Sequence, residues 1–540
     1  MKTIYKNGKV YTGEMPFQSA FVVEEGRFLH VGNDEEILGM AGPSDEIVDL
    51  EGRFVCAGLI DSHMHVVNFG YALQTADLSV HSGSMEDMLQ ALRDFADANP
   101  SLSWICGRGW NQDYFSGEKR FPTRLELDRV SQDRPICVTR ACGHICVVNT
   151  KALELIGVTQ MTPQPEGGQF DLGEDGKPNG IFRENGTDLV YSHLPEKTCE
   201  DIKEMILAAS SELNRYGITS VHTDDLLVFH NVPYERILRA YQELTAEGRM
   251  TVRVYEQSQF TDVESLRQFV ERGYHTGVGD AWFKIGPLKM LGDGSLGART
   301  AYLSEPYEDD KTTRGIAVFT RQQFEDMIGY AHTHGMQVAI HAIGDGILDD
   351  ILAGYEKALK NHPNEDHRHG IVHCQIMRPD QLDKFEELNL HAYIQPIFLD
   401  YDIHIVEDRV GKIRAASSYV FRSLFERVHA SGGSDCPVEL PRALAGIQCA
   451  VTRCSVDGQA GPYLPEQAMC VQQAIDSFTV EGAHGSFEED VKGRIAPGMY
   501  ADFVVLGQSP FEVAPEQISE IPVVATFVDG ICRFHLFRNK

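Results

Sequence analysis

Two histidines one residue apart, His63 and His65, close an apolar run, Phe54-Val55-Cys56-Ala57-Gly58-Leu59-Ile60. The run reads as a buried strand. Side chains i and i+2 of a strand leave the same face, so both imidazoles reach one point beyond its end. Two neutral imidazoles aimed at one point begin a zinc-type donor set. With 21 histidines in 540 residues, a His-x-His pair also arises by chance, and so short a motif has little specificity alone. What gives it weight is its company. Lys289, His341, His373 and Asp435 each stand near the end of a predicted strand. Imidazole and carboxylate together can hold a divalent ion and carry a proton.

Those side chains need a frame, and the alternation of elements supplies one. Helices are predicted over 200–216, 233–247, 263–272, 322–334, 347–359, 379–388 and 418–430, each followed by a strand, at 217–222, 251–256, 282–288, 337–341, 370–373, 390–395 and 431–434. With the strand before His63 that makes eight strands. Eight strands alternating with helices fit a parallel (β/α)8 barrel, whose active sites lie at the C-terminal strand ends. An open doubly wound sheet is the alternative, but no Gly-x-Gly-x-x-Gly follows an early strand. In the barrel, four histidines, Lys289 and Asp435 converge on one mouth.

The flanks read differently. Residues 1–57 are short strands and turns, with an Asn7-Gly8 hairpin signal. The last segment, 490–540, returns to strands, with Asp529-Gly530 as a two-residue turn. The chain ends are therefore expected to form one β unit beside a barrel over 58–489. About 70–200 is expected as an insertion after the first barrel strand, with a helix over 85–98, strands near 104–110 and 135–140, and a hairpin over 167–183.

Composition narrows the partners. A net charge of −31, from 79 acidic and 48 basic residues, argues against nucleic acid and anionic membrane surfaces. No apolar run reaches the ~18–20 residues of a membrane span, and the first residues lack a signal-peptide core. The 12 cysteines are scattered, with Cys142 and Cys146 the nearest pair. They read as reduced thiols of a cytoplasmic protein. A homodimer is the default from base rates.

Specific stretches carry a family resemblance over nearly the whole chain. They are Gly58-Leu59-Ile60-Asp61-Ser62-His63-Met64-His65, the run from Lys289 to Thr300 through Asp293-Gly294-Ser295, His341, His373, Ser434-Asp435-Cys436-Pro437, and Lys492 to Asp502. The chain resembles the amidohydrolase superfamily, in the family 3 branch that includes N-substituted formamide deformylase-like proteins. The resemblance implies a TIM barrel with a composite β-sandwich and one or two divalent ions, zinc first among the candidates. It implies that His63, His65 and Asp435 bind one ion and that His341 and His373 bind the other. Lys289 would bridge them as a CO2-derived carbamate, since an ammonium has no lone pair to offer. Lys284 is the competing lysine. Metal lowers the pKa of a bound water towards ~7. Asp435 would take that water's proton and pass it to a leaving nitrogen.

Substrate contacts are expected from Trp110 as an apolar wall and from Arg140 and His144 on a lid. His222 at the end of the second strand is a further candidate, as are Asp293 and Arg299, which also read as structural, pairing with each other or capping a loop. The expected activity is hydrolysis of a non-peptide C–N bond, of amide, N-formyl or N-acyl type, in a small molecule. A deaminase of a cyclic or heterocyclic substrate, or a metal-binding protein without turnover, are the competing readings.

Overall fold

A computed structural model describes residues 2–81, 83–141, 145–165, 168–229 and 231–537. Eight strands make one sheet in chain order: β1 (Leu59–Met64), β2 (Ile218–Thr223), β3 (Arg253–Gln259), β4 (Phe283–Leu291), β5 (Val338–Ala342), β6 (Gly370–His373), β7 (His391–Ile394) and β8 (Ala430–Gly432). Every hydrogen-bonded neighbour pair is parallel. The strands are buried almost throughout, as expected where helices cover a parallel sheet. The α/β barrel expected from the alternation is therefore present.

β1 and β8 stand at the two ends of the ladder and are joined by a short set of polar contacts. Ser62 Oγ donates to Gly432 O at 2.8 Å, and Asp435 N donates to His63 O at 2.8 Å. Asp61 accepts from Ser434 N at 3.0 Å and from Ser434 Oγ at 2.5 Å. The approach needs a glycine: a Cβ at Gly433 would sit 2.7 Å from His63 N.

The chain ends build two further sheets. One has four strands, Arg27–Gly32, Ala20–Glu24, Thr3–Lys6 and Glu46–Asp49 in spatial order. The other has five and is composite: Lys9–Val10, Phe54–Ala57, Phe503–Leu506, Val523–Val528 and Ile531–His535. Tyr5, Phe21 and Phe28 share a buried cluster with Val55, Phe503 and Val524. Asp529 and Gly530 both have positive φ, 57° and 71°, and turn Val523–Val528 back onto Ile531–His535, as a two-residue hairpin requires. The Asn7-Gly8 expectation is corrected. Asn7 has φ 56°, but the strands on either side enter different sheets, Thr3–Lys6 pairing with Ala20–Glu24 and Lys9–Val10 with Phe54–Ala57. The turn chemistry is local, whereas strand partners are chosen by the shared core. A short helix, Asp34–Leu38, capped by Asn33, interrupts what read as strands alone.

The chain divides into two compact units, one of Met1–Val66, Ala209–Leu227 and Tyr241–Lys540, the other of Val67–Ala208 and Val228–Ala240. The second contains a six-stranded sheet and the helix Met85–Ala98, whose N-cap Ser84 accepts from Asp87 N. Gly168–Leu172 and Pro178–Glu184 pair as an antiparallel hairpin. Among the described residues, no helix is long and apolar enough to cross a membrane.

A buried ionic cluster ties β2 and β4 to the segment that leaves the barrel. Glu488 meets Lys284 at 2.5 Å and Lys492 at 2.5 Å, and Lys492 Nζ donates to Ser220 Oγ at 2.8 Å. Lys284, the competing metal-bridging candidate, is thereby committed elsewhere. Burial opposes the charge on Glu488, but the two ammonium groups outweigh it and lower its pKa from 4.5 to about 2. A depressed carboxyl pKa contributes stability that is complete above the unfolded value and is lost as pH falls towards the folded one. Glu488 is therefore expected to contribute about 3 kcal/mol that disappears between roughly pH 5 and 2. Chemical denaturation across that range should show the loss in wild type. Glu488→Gln should be less stable at pH 7 and show a shallower acid slope.

Candidate metal centre

The mouth of the barrel gathers its side chains from six of the eight strand ends. His63, His373 and Asp435 are buried and offer ligand atoms within 4.8 Å of one another. His65 Nε2 lies 3.1 Å and His63 Nε2 3.4 Å from Asp435 Oδ1. The His341 ring is 4.4 Å from the His373 ring. Lys289, fully buried on β4, sits with Nζ 3.4 Å from His63 Nε2 and 3.3 Å from Asp224 Oδ2. All six residues expected as ligands thus form one connected cluster.

Each histidine is oriented by a partner behind it. His63 Nδ1 donates to Gln257 Oε1 at 2.7 Å, and Gln257 Nε2, donating to Ser62 O at 3.3 Å, fixes which way that amide faces. His373 Nδ1 donates to Gln395 Oε1 at 2.8 Å, with Gln395 Nε2 on Tyr393 O at 3.1 Å. His65 Nδ1 donates to Asp224 O at 2.8 Å. A proton on Nδ1 leaves the Nε2 lone pair facing the centre. His341 is the opposite case. Its Nε2 donates to Gly294 O at 3.2 Å and lies 3.2 Å from Asp293 Oδ1, so Nδ1 is its available nitrogen.

The electrostatics agree with a cation site. Burial, with the Lys289 ammonium near His63 and with His341 near His373, holds both imidazoles well below their ordinary pKa and keeps them neutral. Burial also works against charge on His65, but Asp435 outweighs it and lifts His65 to about 9. Asp435 is buried, yet His65 and the neighbouring imidazoles keep its carboxyl well below the usual range. Three residues here hold positive φ: His373 at 82°, Cys374 at 50° and Asp435 at 58°. Such conformations cost about 1 kcal/mol or more each and concentrate at functional sites.

The donor set fits a divalent ion of the zinc class: His63 and His373 are neutral imidazoles with fixed tautomers, Asp435 is an ionised carboxylate, partners stand behind the ligands, and His65 would join once an ion displaces the proton that Asp435 holds on it. Asp224 Oδ1 is a buried oxygen with no hydrogen-bond partner, a second sign that this volume suits a cation.

The residues expected to touch substrate fare unevenly. Asp293 caps a loop, the structural alternative expected for it: its carboxylate accepts from Ile343 N at 3.0 Å and from Gly344 N and Tyr302 N, each at 2.8 Å. Its expected pairing with Arg299 is corrected, because Arg299 binds Asp309 at 2.9 Å. Trp110 is also corrected. It is fully buried in the core of its own unit, with Nε1 on Val138 O and its ring against Phe121, because a large apolar ring gains most by complete burial. His222 is sealed between Tyr255 and Tyr393, without a partner for either ring nitrogen, and burial lowers its pKa to about 3. It does not reach the mouth. Arg140 is bound to Gln112, Asn111 and Asp113 within its own unit. His144 lies outside the described residues. Sequence reasoning missed Gln257 and Gln395, and reads Asp224 only as a partner of His222 or part of a solvated turn. Gln257 and Gln395 stand at the ends of β3 and β7, where the barrel rule already pointed.

The chain matches the amidohydrolase family over residues 46–534. Protein LONG AFTER FAR-RED 3 of Arabidopsis thaliana is 30% identical, over 97% of this chain and 90% of that one. The N-substituted formamide deformylase of Arthrobacter pascens is 24% identical, over 95% and 94% of the two chains. The crystal structure of an uncharacterized metal-dependent hydrolase from Pyrococcus horikoshii OT3 superposes with a TM-score of 0.79 at 29% identity, covering 95% of this chain and 99% of that one. The chain belongs to amidohydrolase family 3 of the amidohydrolase superfamily.

The partners behind the histidines give a prediction. Gln395→Leu and Gln257→Leu should each weaken metal binding about 10- to 100-fold, read by competition with a chromogenic chelator. The thermal midpoint of the chelated protein should change far less. Unaltered metal affinity in both variants would show that the amides do not orient the ligands.

Proposed function

We propose that this protein is a metal-dependent hydrolase that cleaves a non-peptide C–N bond, of amide, N-formyl or N-acyl type, in a small molecule. The observation that carries the reading is the meeting of His63, His373 and Asp435 within 4.8 Å at the C-terminal strand ends. The deformylase relative supports the choice of bond. In this reading His63, His65, His341, His373 and Asp435 hold one or two divalent ions, zinc first. The two sheets built from the chain ends are the composite β-sandwich that accompanies the barrel.

A divalent ion in this donor set lowers the pKa of a water and polarises a carbonyl oxygen. The protein's own part is proton handling and orientation. Asp435, held ionised by its imidazole neighbours, accepts the proton of the attacking water on its carboxylate and delivers it to the leaving nitrogen. Gln257 and Gln395 keep His63 and His373 in the tautomer with Nε2 open, the Asp224 carbonyl orients His65 so that its Nε2 would open once its proton is lost, and Asp293 keeps His341 in the other tautomer. Lys289, once carboxylated, would add an anionic oxygen donor to the set that holds the ions. Its present partner, Asp224, would then face an anion, and the two must separate or share a cation.

Metal content per chain and product analysis test this reading. At the barrel mouth wild type should carry two ions and Lys289→Ala one or none, and a panel of N-formyl and N-acyl amines should yield carboxylic acid and amine. Asp435→Asn should lower turnover at least about 100-fold, the lower range for losing a general acid–base group, with an unchanged circular dichroism spectrum. Ammonia as the only product would favour a deaminase. Full activity in Asp435→Asn would remove its proton role.

A further inference from the structure

A second cluster of ligand-type side chains lies at the other end of β8. His429 immediately precedes that strand, whereas Asp435 follows it. Glu481 and His484, three residues apart, sit on the helix Val480–Gly485. His429, Glu481 and His484 offer ligand atoms within 4.8 Å of one another. His429 Nδ1 lies 2.8 Å from Glu481 Oε2. The rings of His429 and His484 stack with centroids 3.6 Å apart.

We propose that His429, Glu481 and His484 form a second divalent-metal site of the zinc class, on the face of the barrel opposite the candidate reaction centre. Residues i and i+3 of a helix share a face, which is how one short helix supplies two ligands. His429 is half exposed and Glu481 mostly covered, so the site is open on one side and water completes the coordination.

Two observations support a cation here. His484 Nδ1 is buried without a hydrogen-bond partner. Arg368, the nearest fixed cation, is already neutralised: it binds Glu489 at 2.7 Å and Asp366 at 2.6 Å, leaving Glu481 as the surplus charge beside the imidazoles. A hydrogen-bonded His429–Glu481 pair accounts for two of these residues without a metal. It does not account for the buried, unpartnered Nδ1 of His484.

The ion would join the start of β8 to the segment that carries the chain from the barrel to Phe503–Leu506. On that face of a barrel, side chains serve stability and not reaction.

The experiment uses zinc alone as the probe. Wild type, Glu481→Gln and Glu481→Gln/His484→Ala are stripped with chelator, dialysed against buffered micromolar zinc and analysed for metal. The same three states are prepared in a His63→Ala/His65→Ala chain, where the upper centre is disabled, so failure of the proposed reaction centre cannot be mistaken for failure of this site. The expected result is one more ion per chain with the cluster intact, in both backgrounds. Glu481→Gln should bind that ion at least about tenfold more weakly, as disturbing even a supporting group of a metal site does. Zinc should also raise the thermal midpoint of the His63→Ala/His65→Ala chain, by linkage, and not that of its Glu481→Gln derivative. Glu481→Gln is nearly isosteric, so it decides the matter if the double substitution unfolds. Equal zinc content with and without the cluster, or an additional ion that appears only at millimolar zinc, would overturn the proposal.

Discussion

Asp61 ties the first barrel strand to the last, and the candidate metal centre depends on that tie. Its carboxylate accepts from His63 N at 3.2 Å and from the backbone and hydroxyl of Ser434. One side chain therefore sets the distance between His63, on β1, and Asp435, one residue beyond Ser434. Burial alone would favour its neutral form and lifts its pKa to about 7, against the pull of those donors. The joint between β1 and β8 is thus polar, short and directional, where the other seven strand pairs are joined by backbone ladders. The absence of a Cβ at Gly433 lets the two strands approach at all.

A similar economy holds around the histidines. A buried imidazole that must present one chosen nitrogen needs an acceptor on the other. The barrel supplies side-chain amides from β3 and β7 for His63 and His373, and backbone carbonyls for His65 and His341. Strands that contribute no ligand thus determine which atoms the ligands offer. The positive φ values at His373, Cys374 and Asp435 belong to the same arrangement. The chain leaves its strand sharply there, and the hydrogen bonds that follow hold it in conformations that an isolated peptide would avoid.

The two faces of the barrel divide the work. At the C-terminal strand ends the charged groups converge on one another across space and leave oxygens such as Asp224 Oδ1 without partners. At the N-terminal ends they pair off: Glu488 with two lysines, Arg368 with Glu489 and Asp366. The cluster of His429, Glu481 and His484 departs from that pattern, since His484 is left unmatched beside a complete pair.

Much of this was legible in the linear chain. The eight strands and their order followed from apolar runs alternating with helical periodicity. The positions of His63, His65, Lys289, His341, His373 and Asp435 followed from the rule that strand ends face one mouth. Local chemistry also sufficed for the Asp529-Gly530 hairpin, where two residues of positive φ are all the turn requires. It failed at Asn7-Gly8, because strand partners are decided by a core assembled from both chain ends. Trp110, His222 and Arg299 were misjudged for a related reason: residue type states what a side chain can do, while burial and partners decide what it does. Neither the tautomer of each histidine nor the tie made by Asp61 is encoded in spacing. Both arise from groups far apart in the chain, such as Gln257 behind His63 and Ser434 beside Asp61, and only the closed barrel brings them within hydrogen-bond reach.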